Sequence, residues 1–180
     1  MDRRRVTATM RTEATKRVAH VFSLFDANGN GILEADDFDL MAGNVVEAAP
    51  DSDEAAKDAM RAAFRQYWTT LVAELDTNDD GKVGYEEYVA CVLSPERFDT
   101  TIGVFAEALA ALGDPDGDGL IERPRFVALM RAIGFQPANI DALFEAFGPS
   151  DDRIQVATWV AGIKDYYAPD KAGIPGDLLV

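Results

Sequence analysis

Residues 76–87 read DTNDDGKVGYEE, and this stretch has oxygen-bearing side chains at its first, third and fifth positions. Gly81 follows at the sixth position, where the backbone has to turn sharply. Calcium is a hard cation that takes about six to eight oxygen ligands, and a bidentate carboxylate at position twelve normally completes the set. The stretch therefore predicts a calcium-binding loop between two helices. Its predicted ligands are Asp76, Asn78, Asp80, the carbonyl oxygen of Lys82, and Glu87.

The same pattern occurs earlier in the chain, at residues 26–37. Its predicted ligands are Asp26, Asn28, Asn30, the carbonyl oxygen of Ile32, and Asp37. Position twelve is an aspartate here, and its shorter side chain reaches the ion less easily with both oxygens. We therefore expect this first loop to bind Ca²⁺ more weakly than the second loop (residues 76–87) and to accept octahedral Mg²⁺ more readily. Leu33 and Val83 share position eight and are predicted to pair as a short β-bridge.

A third copy of the pattern, at residues 114–125, has an arginine at its closing position. Its possible ligands are Asp114, Asp116, Asp118 and the carbonyl oxygen of Leu120. Arg125 stays protonated and cannot bind a metal, so we expect it to pair with Asp114 or Asp118. The sequence leaves open whether this third loop binds metal.

A fourth, degenerate loop is predicted near residues 148–158, because two phenylalanines precede it with the spacing that precedes the first loop. It has no acidic residue at its start and none near position twelve. We expect it to bind no ion and to serve as a structural partner, with Ile154 forming a bridge to Ile121.

Eight helices are expected, two around each loop. The predicted bounds are 12–25, 35–46, a third helix capped by Asp51, 85–93, 99–112, a sixth containing Pro124 and ended by Gly134, a seventh opened by Pro137, and 155–167. The third helix has an apolar stripe at helical spacing, which predicts core packing: Met60, Phe64, Trp68, Leu71 and Leu75. Pro95 disfavours helix at Ser94, so a continuous central helix is not expected.

Composition and charge limit the classes of partner. The formal net charge is −15, which speaks against nucleic acid and anionic membranes as partners. No apolar run approaches membrane-spanning length. The single cysteine, Cys91, excludes a disulfide framework and is expected to be buried. The N-terminus has basic residues but no apolar segment behind them. We expect a cytoplasmic monomer.

The loops, their spacing and the tail together resemble the EF-hand superfamily, and within it the calerythrin and sarcoplasmic calcium-binding protein family. The first and second loops start 50 residues apart (26 to 76), and the second and third loops start 38 residues apart (76 to 114). The segment from Asp165 to Leu179 is similar to that family's C-terminal segment. The resemblance implies an all-α fold, with four helix-loop-helix units in two lobes packed into one compact globule. The expected parts are an N-terminal pair (1–94), a C-terminal pair (95–167) and a tail packing on the lobes (168–180).

Three functions are compatible with this resemblance. The first is a cytosolic Ca²⁺ buffer or signal modulator. The second is a Ca²⁺ sensor that exposes an apolar groove to a target protein; sensors tend to use Met-rich grooves, and the five methionines here are scattered. The third is a coelenterazine-type photoprotein or luciferin-binding protein. The chemistry of such proteins resembles one that uses a set of His, Trp and Tyr side chains around a cavity, and this chain has a single histidine, His20. No nucleophile–base pair or phosphate-binding loop is apparent, so we do not expect an enzyme.

Overall fold

The computed structural model describes residues 3–75 and 80–180, and this part of the chain is mostly helical. The helices are α1 (Arg3–Phe25), α2 (Ala35–Glu47), α3 (Glu54–Leu75), α4 (Tyr85–Val92), α5 (Pro95–Leu112), α6 (Arg123–Ile133), α7 (Pro137–Ala146), α8 (Val156–Tyr166) and a terminal 3₁₀ helix (Pro175–Leu179). The strands are β1 (Ile32–Leu33), β2 (Val83–Gly84), β3 (Leu120–Glu122) and β4 (Arg153–Gln155). The all-α fold with four helix-loop-helix units is confirmed. No helix in the described ranges is both long and apolar enough to cross a membrane.

The short strands join the loops in two pairs. β1 pairs antiparallel with β2, with Leu33 opposite Val83. β3 pairs in the same way with β4, with Ile121 opposite Ile154. All four of these side chains are buried. Both predicted bridges are confirmed: in each of the four loops one apolar side chain packs into the core where its backbone pairs with the neighbouring loop.

The core runs without a break through both halves of the chain, and α3 lies near its centre. α3 packs against α2 on one side and α5 on the other, and α5 packs against α8. The Phe64 and Phe105 rings meet edge to face with centroids 5.0 Å apart, and Tyr67 meets Phe98 at 4.7 Å. Of the predicted stripe, three residues are fully buried and Trp68 is half-buried; the side chain of Leu75 lies outside the described residues. These contacts hold the two halves together.

Three helix starts differ from the prediction. α1 begins nine residues earlier, at Arg3, and its early threonines donate to carbonyls four residues back, as Thr7 does to Arg3 at 2.9 Å. α5 begins at Pro95 because proline fits the first helical position, where no amide donor is needed. Asp51 was the wrong cap for α3: Asp53 lies directly before the helix and its Oδ1 accepts from the Ala56 amide at 2.8 Å. The ends at Ser94 and Gly134 are confirmed, and Gly134 has φ +115°.

A fully buried arginine joins α1 to the C-terminal segment (residues 167–180). Arg17 Nε donates to the Tyr166 carbonyl at 2.8 Å, and its Nη2 donates to the Ala168 and Lys171 carbonyls, each at 3.0 Å. Its Nη1 pairs with Asp177 Oδ1 at 2.7 Å. The Tyr166 hydroxyl donates back to the Arg17 carbonyl at 2.7 Å. The tail is thus fixed to α1 by a charged side chain in the core.

Three buried tyrosines from distant parts of the chain share hydrogen bonds. The hydroxyl of Tyr67 lies 2.6 Å from that of Tyr88 and 3.1 Å from that of Tyr167. Burial raises the pKa of all three phenols, and that of Tyr167 to about 12. The cluster connects α3, α4 and the residue that follows α8.

Candidate metal sites

The first loop bends around its own side-chain oxygens. Asp26 accepts from two backbone amides, those of Asn30 at 3.2 Å and Gly31 at 2.8 Å. Asn28 Oδ1 accepts from the Asn30 amide at 3.0 Å, and Asn30 Oδ1 from the Ile32 amide at 3.0 Å. Gly31 has φ +78°, a left-handed conformation that glycine adopts without strain. The predicted side-chain ligands of positions one, three and five are therefore brought together in one turn.

The closing residues of the first two loops occupy matching positions. Asp37 Oδ2 accepts from the Glu34 amide at 2.9 Å, and Glu87 Oε2 accepts from the Gly84 amide at 2.9 Å. Each residue lies in the first turn of the helix that leaves its loop. The backbone thus holds both carboxylates at the loop exit, despite the difference of one methylene.

The second loop is described only in part, since Asp76 and Asn78 lie outside the described residues. Asp80 Oδ1 accepts from the Lys82 amide at 3.0 Å, as position five does in the first loop. Gly81 has φ +68° and supplies the predicted turn. The described half of this loop, which ends in β2, follows the geometry of the first loop.

The third loop reproduces the first loop's hydrogen bonds one by one. Asp114 accepts from the Asp118 amide at 3.2 Å and from the Gly119 amide at 2.9 Å. Asp116 Oδ1 accepts from the Asp118 amide at 3.3 Å, and Asp118 Oδ1 from the Leu120 amide at 2.8 Å. Carboxylate oxygens of the three aspartates lie within 4.8 Å of one another. This donor set fits a divalent cation that prefers oxygen ligands.

Charge crowding in the third loop also favours a cation. Desolvation by burial, followed by the neighbouring Asp116 and Asp118, raises the pKa of Asp114. The pKa of Asp116 is lowered, chiefly by the hydrogen bond between Asp116 and Asp114. Acidic groups so close together repel one another when ionised, and a bound cation removes that repulsion.

Arg125 does not pair with the aspartates of its own loop, and this part of the sequence prediction was wrong. Its Nη1 lies 2.9 Å from Glu122 Oε2, and its Nη2 lies 3.7 Å from Asp51 Oδ2 in the connection between α2 and α3. The long side chain reaches these two exposed acids from the first turn of α6. Position twelve still provides no ligand, but the guanidinium forms its ion pairs outside the three-aspartate cluster.

The fourth loop is a tight turn. Asp151 and Asp152 have φ +51° and +58°, and Ser150 and Arg153 exchange backbone hydrogen bonds of 3.0 and 3.1 Å. Two consecutive residues with positive φ are typical of a type I′ turn. The geometry supports the expectation that no ion binds here, because the backbone turns back over two residues instead of forming a long ring.

Arg123 holds this turn, and sequence reasoning missed it. Its Nε donates to Asp152 Oδ1 at 2.6 Å, and its Nη2 pairs with Glu145. Its guanidinium also lies 4.3 Å from the centre of the Phe144 ring. The residue therefore links the first turn of α6 to α7 and the fourth loop. The only sequence signal was a basic residue beside several acids that are distant in the chain.

An apolar cavity of about 60 Å³ lies between α1, α5, α6 and α8. Phe105, Met130 and Trp159 form part of its wall, and Gly176 and Leu179 of the terminal 3₁₀ helix also line it. His20, the single histidine of the chain, is not part of the lining. Its ring packs 5.7 Å from Phe135, and burial lowers its pKa.

Comparison with known proteins agrees with this geometry. Residues 15–93 match the family model described as an EF-hand domain pair. The chain is 25% identical over 162 residues to calerythrin of Saccharopolyspora erythraea, covering 86% of this chain and 92% of calerythrin. It is 23% identical over 155 residues to sarcoplasmic calcium-binding protein 1 of Astacus leptodactylus, covering 81% of each.

A similar fold occurs in the calcium-regulated photoprotein mitrocomin of the jellyfish Mitrocoma cellularia. The two structures share a TM-score of 0.70 and 16% sequence identity, over 94% of this chain and 92% of mitrocomin. At this level of identity the likeness concerns the fold alone.

Proposed function

We propose that this EF-hand protein, which is similar to calerythrin and the sarcoplasmic calcium-binding proteins, binds calcium and acts as a calcium buffer or signal modulator. The proposed ligands are those predicted for the first two loops, 26–37 and 76–87. The hydrogen bonds that gather Asp26, Asn28 and Asn30 support the first site. The matching positions of Asp37 and Glu87 support both sites. Mg²⁺ is a second proposed ion for the first loop.

The burial of apolar side chains in this structure favours a calcium buffer over a calcium sensor. A sensor opens on binding calcium and exposes a Met-rich groove. Met41, Met60 and Met130 are each less than 8% exposed and are dispersed through one continuous core. The packing of α3 on α5 covers apolar faces of the two halves, and the terminal 3₁₀ helix covers a further face. Apolar faces that cover one another in this way do not present the exposed Met-rich groove that a calcium sensor uses.

Dye binding to apolar surface, with and without Ca²⁺, tests this proposal. We expect the fluorescence of an apolar dye to stay nearly constant when Ca²⁺ is added, while calorimetry on the same sample records ion binding. A sensor such as calmodulin serves as the positive control. A strong increase that depends on Ca²⁺ and disappears in Glu87→Gln would favour the sensor and overturn the buffer.

The photoprotein alternative has less support from the site. A cavity of about 60 Å³ is small, and the single histidine lies outside its lining. The proposed function is therefore non-enzymatic. We further propose that the chain is a cytoplasmic monomer with an N-terminal pair of helix-loop-helix units (1–94), a C-terminal pair (95–167) and a tail (168–180).

A further inference from the structure

The last eight residues of the C-terminal segment, 173–180, pack into a groove between helices, much as a bound peptide does. Its 3₁₀ helix, Pro175–Leu179, packs against α1, α7 and α8. Leu179 is only 4% exposed and reaches the wall of the apolar cavity, whereas its neighbour Leu178 is 44% exposed. One side chain of the segment is thus an anchor, and the adjacent one faces solvent.

Arg17 makes this site selective for an acidic residue. The arginine is fully buried, and its salt bridge with Asp177 measures 2.7 Å. A buried cation without an opposite charge is strongly unfavourable, so any occupant of this site has to bring a carboxylate to Arg17. Asp177 also accepts, through Oδ2, from the Ile174 amide at 3.1 Å, which begins the 3₁₀ helix. The acid therefore both pairs with Arg17 and shapes the segment.

Two further features define the sequence that fits. A side chain on Gly176 would place its Cβ 2.9 Å from Tyr166 Cδ2, which is too close for an ordinary contact. The anchor Leu179 follows Asp177 by two residues. The site thus requires glycine, then an acid, then any residue, then an apolar anchor, which in this chain reads Gly176-Asp177-Leu178-Leu179.

The segment is not tightly packed on all sides. A second hollow, at the surface, is lined by Ile174, Pro175 and Gly176 together with residues of α8. The 3₁₀ helix thus borders free space in the core, at the apolar cavity, and at the surface, at this hollow. Such an element is a good candidate for exchange with another chain.

We propose that residues 173–180 are an intramolecular ligand of a peptide-binding groove, and that the groove accepts in trans a partner segment with the sequence Gly-Asp-x-Leu. The segment in cis has a high effective concentration, of the order of millimolar for a short connection, so it keeps the groove closed to weak partners. A partner that carries the same four-residue pattern replaces it and keeps Arg17 paired. This inference goes beyond the proposed buffer function and does not depend on it.

The test uses the full chain and a fluorescently labelled peptide of residues 172–180. Leu179→Ala weakens the binding of the chain's own segment (173–180) to the groove and leaves the other residues of the groove unchanged. Leu178→Ala is the matched control, because that leucine faces solvent. We expect the peptide to bind Leu179→Ala at least tenfold more tightly than the wild type or Leu178→Ala, as measured by fluorescence anisotropy. Peptides carrying Asp177→Asn or Gly176→Ala should each lose at least tenfold in affinity for Leu179→Ala.

The proposal is overturned if the two leucine variants bind the peptide equally, or if the altered peptides bind as well as the original one. If circular dichroism shows that Leu179→Ala is unfolded, full-chain Asp177→Asn replaces it in the same assay. If neither variant folds, the segment is part of the folding core and the proposal is wrong. Calcium stoichiometry, measured in parallel, should be unchanged in every folded variant, so a failure of calcium binding is distinguishable from a failure of peptide exchange.

Discussion

Replacing Arg125 with glutamate should give the third loop a complete set of calcium ligands. The loop already reproduces the hydrogen bonds of the first loop, and three carboxylates lie within 4.8 Å of one another. Arg125→Glu adds two oxygens at position twelve. Its cost is small, because the pairs that Arg125 makes with Glu122 and Asp51 are largely exposed and are worth about 0.2–1 kcal/mol each.

The gain in affinity should be much larger than this loss. Calcium loops range from about 10⁻⁷–10⁻⁵ M in sensors to about 10⁻⁴–10⁻³ M in the weakest modules, and we expect the missing carboxylate to place the wild-type third loop at the weak end or below it. Two decades of affinity correspond to about 2.8 kcal/mol, at about 1.4 kcal/mol per decade. Isothermal titration calorimetry should therefore report three Ca²⁺ per chain in Arg125→Glu and two in the wild type.

Arg125→Gln is the matched control for this experiment. It removes the positive charge but adds no carboxylate, so we expect it to keep two ions. A wild-type stoichiometry of three would mean that Glu122 or water already closes the shell, and the reasoning about Arg125 would fail. If Arg125→Glu still binds two, the silent fourth loop does not hold its partner loop in a binding geometry.

Four other results follow from the structure. Glu87→Gln should cost more of the high-affinity Ca²⁺ signal in calorimetry than Asp37→Ala, and the reverse order would refute our ranking of the two loops. Asp37→Glu should raise the preference for Ca²⁺ and speed its uptake in stopped-flow mixing with millimolar Mg²⁺; wild-type kinetics that do not respond to Mg²⁺ would contradict this. Cys91 is buried and its thiol has a pKa raised to about 11, so a thiol reagent at pH 8 should label it only after denaturation. Arg17→Met should lower the free energy of unfolding in urea by about 3 kcal/mol, because the partner carboxylate and several carbonyls lose their donor; a loss below 1 kcal/mol would show that the anchor is not structural.

Local chemistry made the loops and most helix ends predictable from sequence. Ligand positions, the bridge residues Leu33 and Val83, and the breaks at Ser94 and Gly134 all depend on residues within a few positions of one another. The cap of α3 was harder to assign, because two aspartates stand close together and both have acids nearby. The first turns of α1 were missed because they are exposed and have no apolar periodicity to detect.

The ion pairs that organise the site could not be derived from sequence. Arg125 forms an ion pair with Asp51, and Arg17 forms one with Asp177, and in both pairs the partners are far apart in the sequence. Such contacts depend on how whole helices pack, which single-sequence patterns do not specify. One signal was available: Arg17 is a charged residue on the same face of α1 as Ala14 and Val21, and a charge on an apolar face predicts a buried partner.

The hydrogen bond between the Tyr67 and Tyr88 hydroxyls affects how fast the second loop exchanges its ion. These tyrosines stand on α3 and α4, the two helices that flank the loop. A wider angle between the helices would separate these two buried hydroxyls. Tyr67 would keep the Tyr167 hydroxyl as a partner, whereas Tyr88 would lose its hydrogen bond to Tyr67, and a buried hydroxyl that loses its partner costs about 1–3 kcal/mol. Loop motions take nanoseconds to microseconds, whereas collective helix rearrangements take microseconds to milliseconds. We therefore expect ligand exchange within the loop, at a fixed angle between α3 and α4, to set the rate at which the ion leaves.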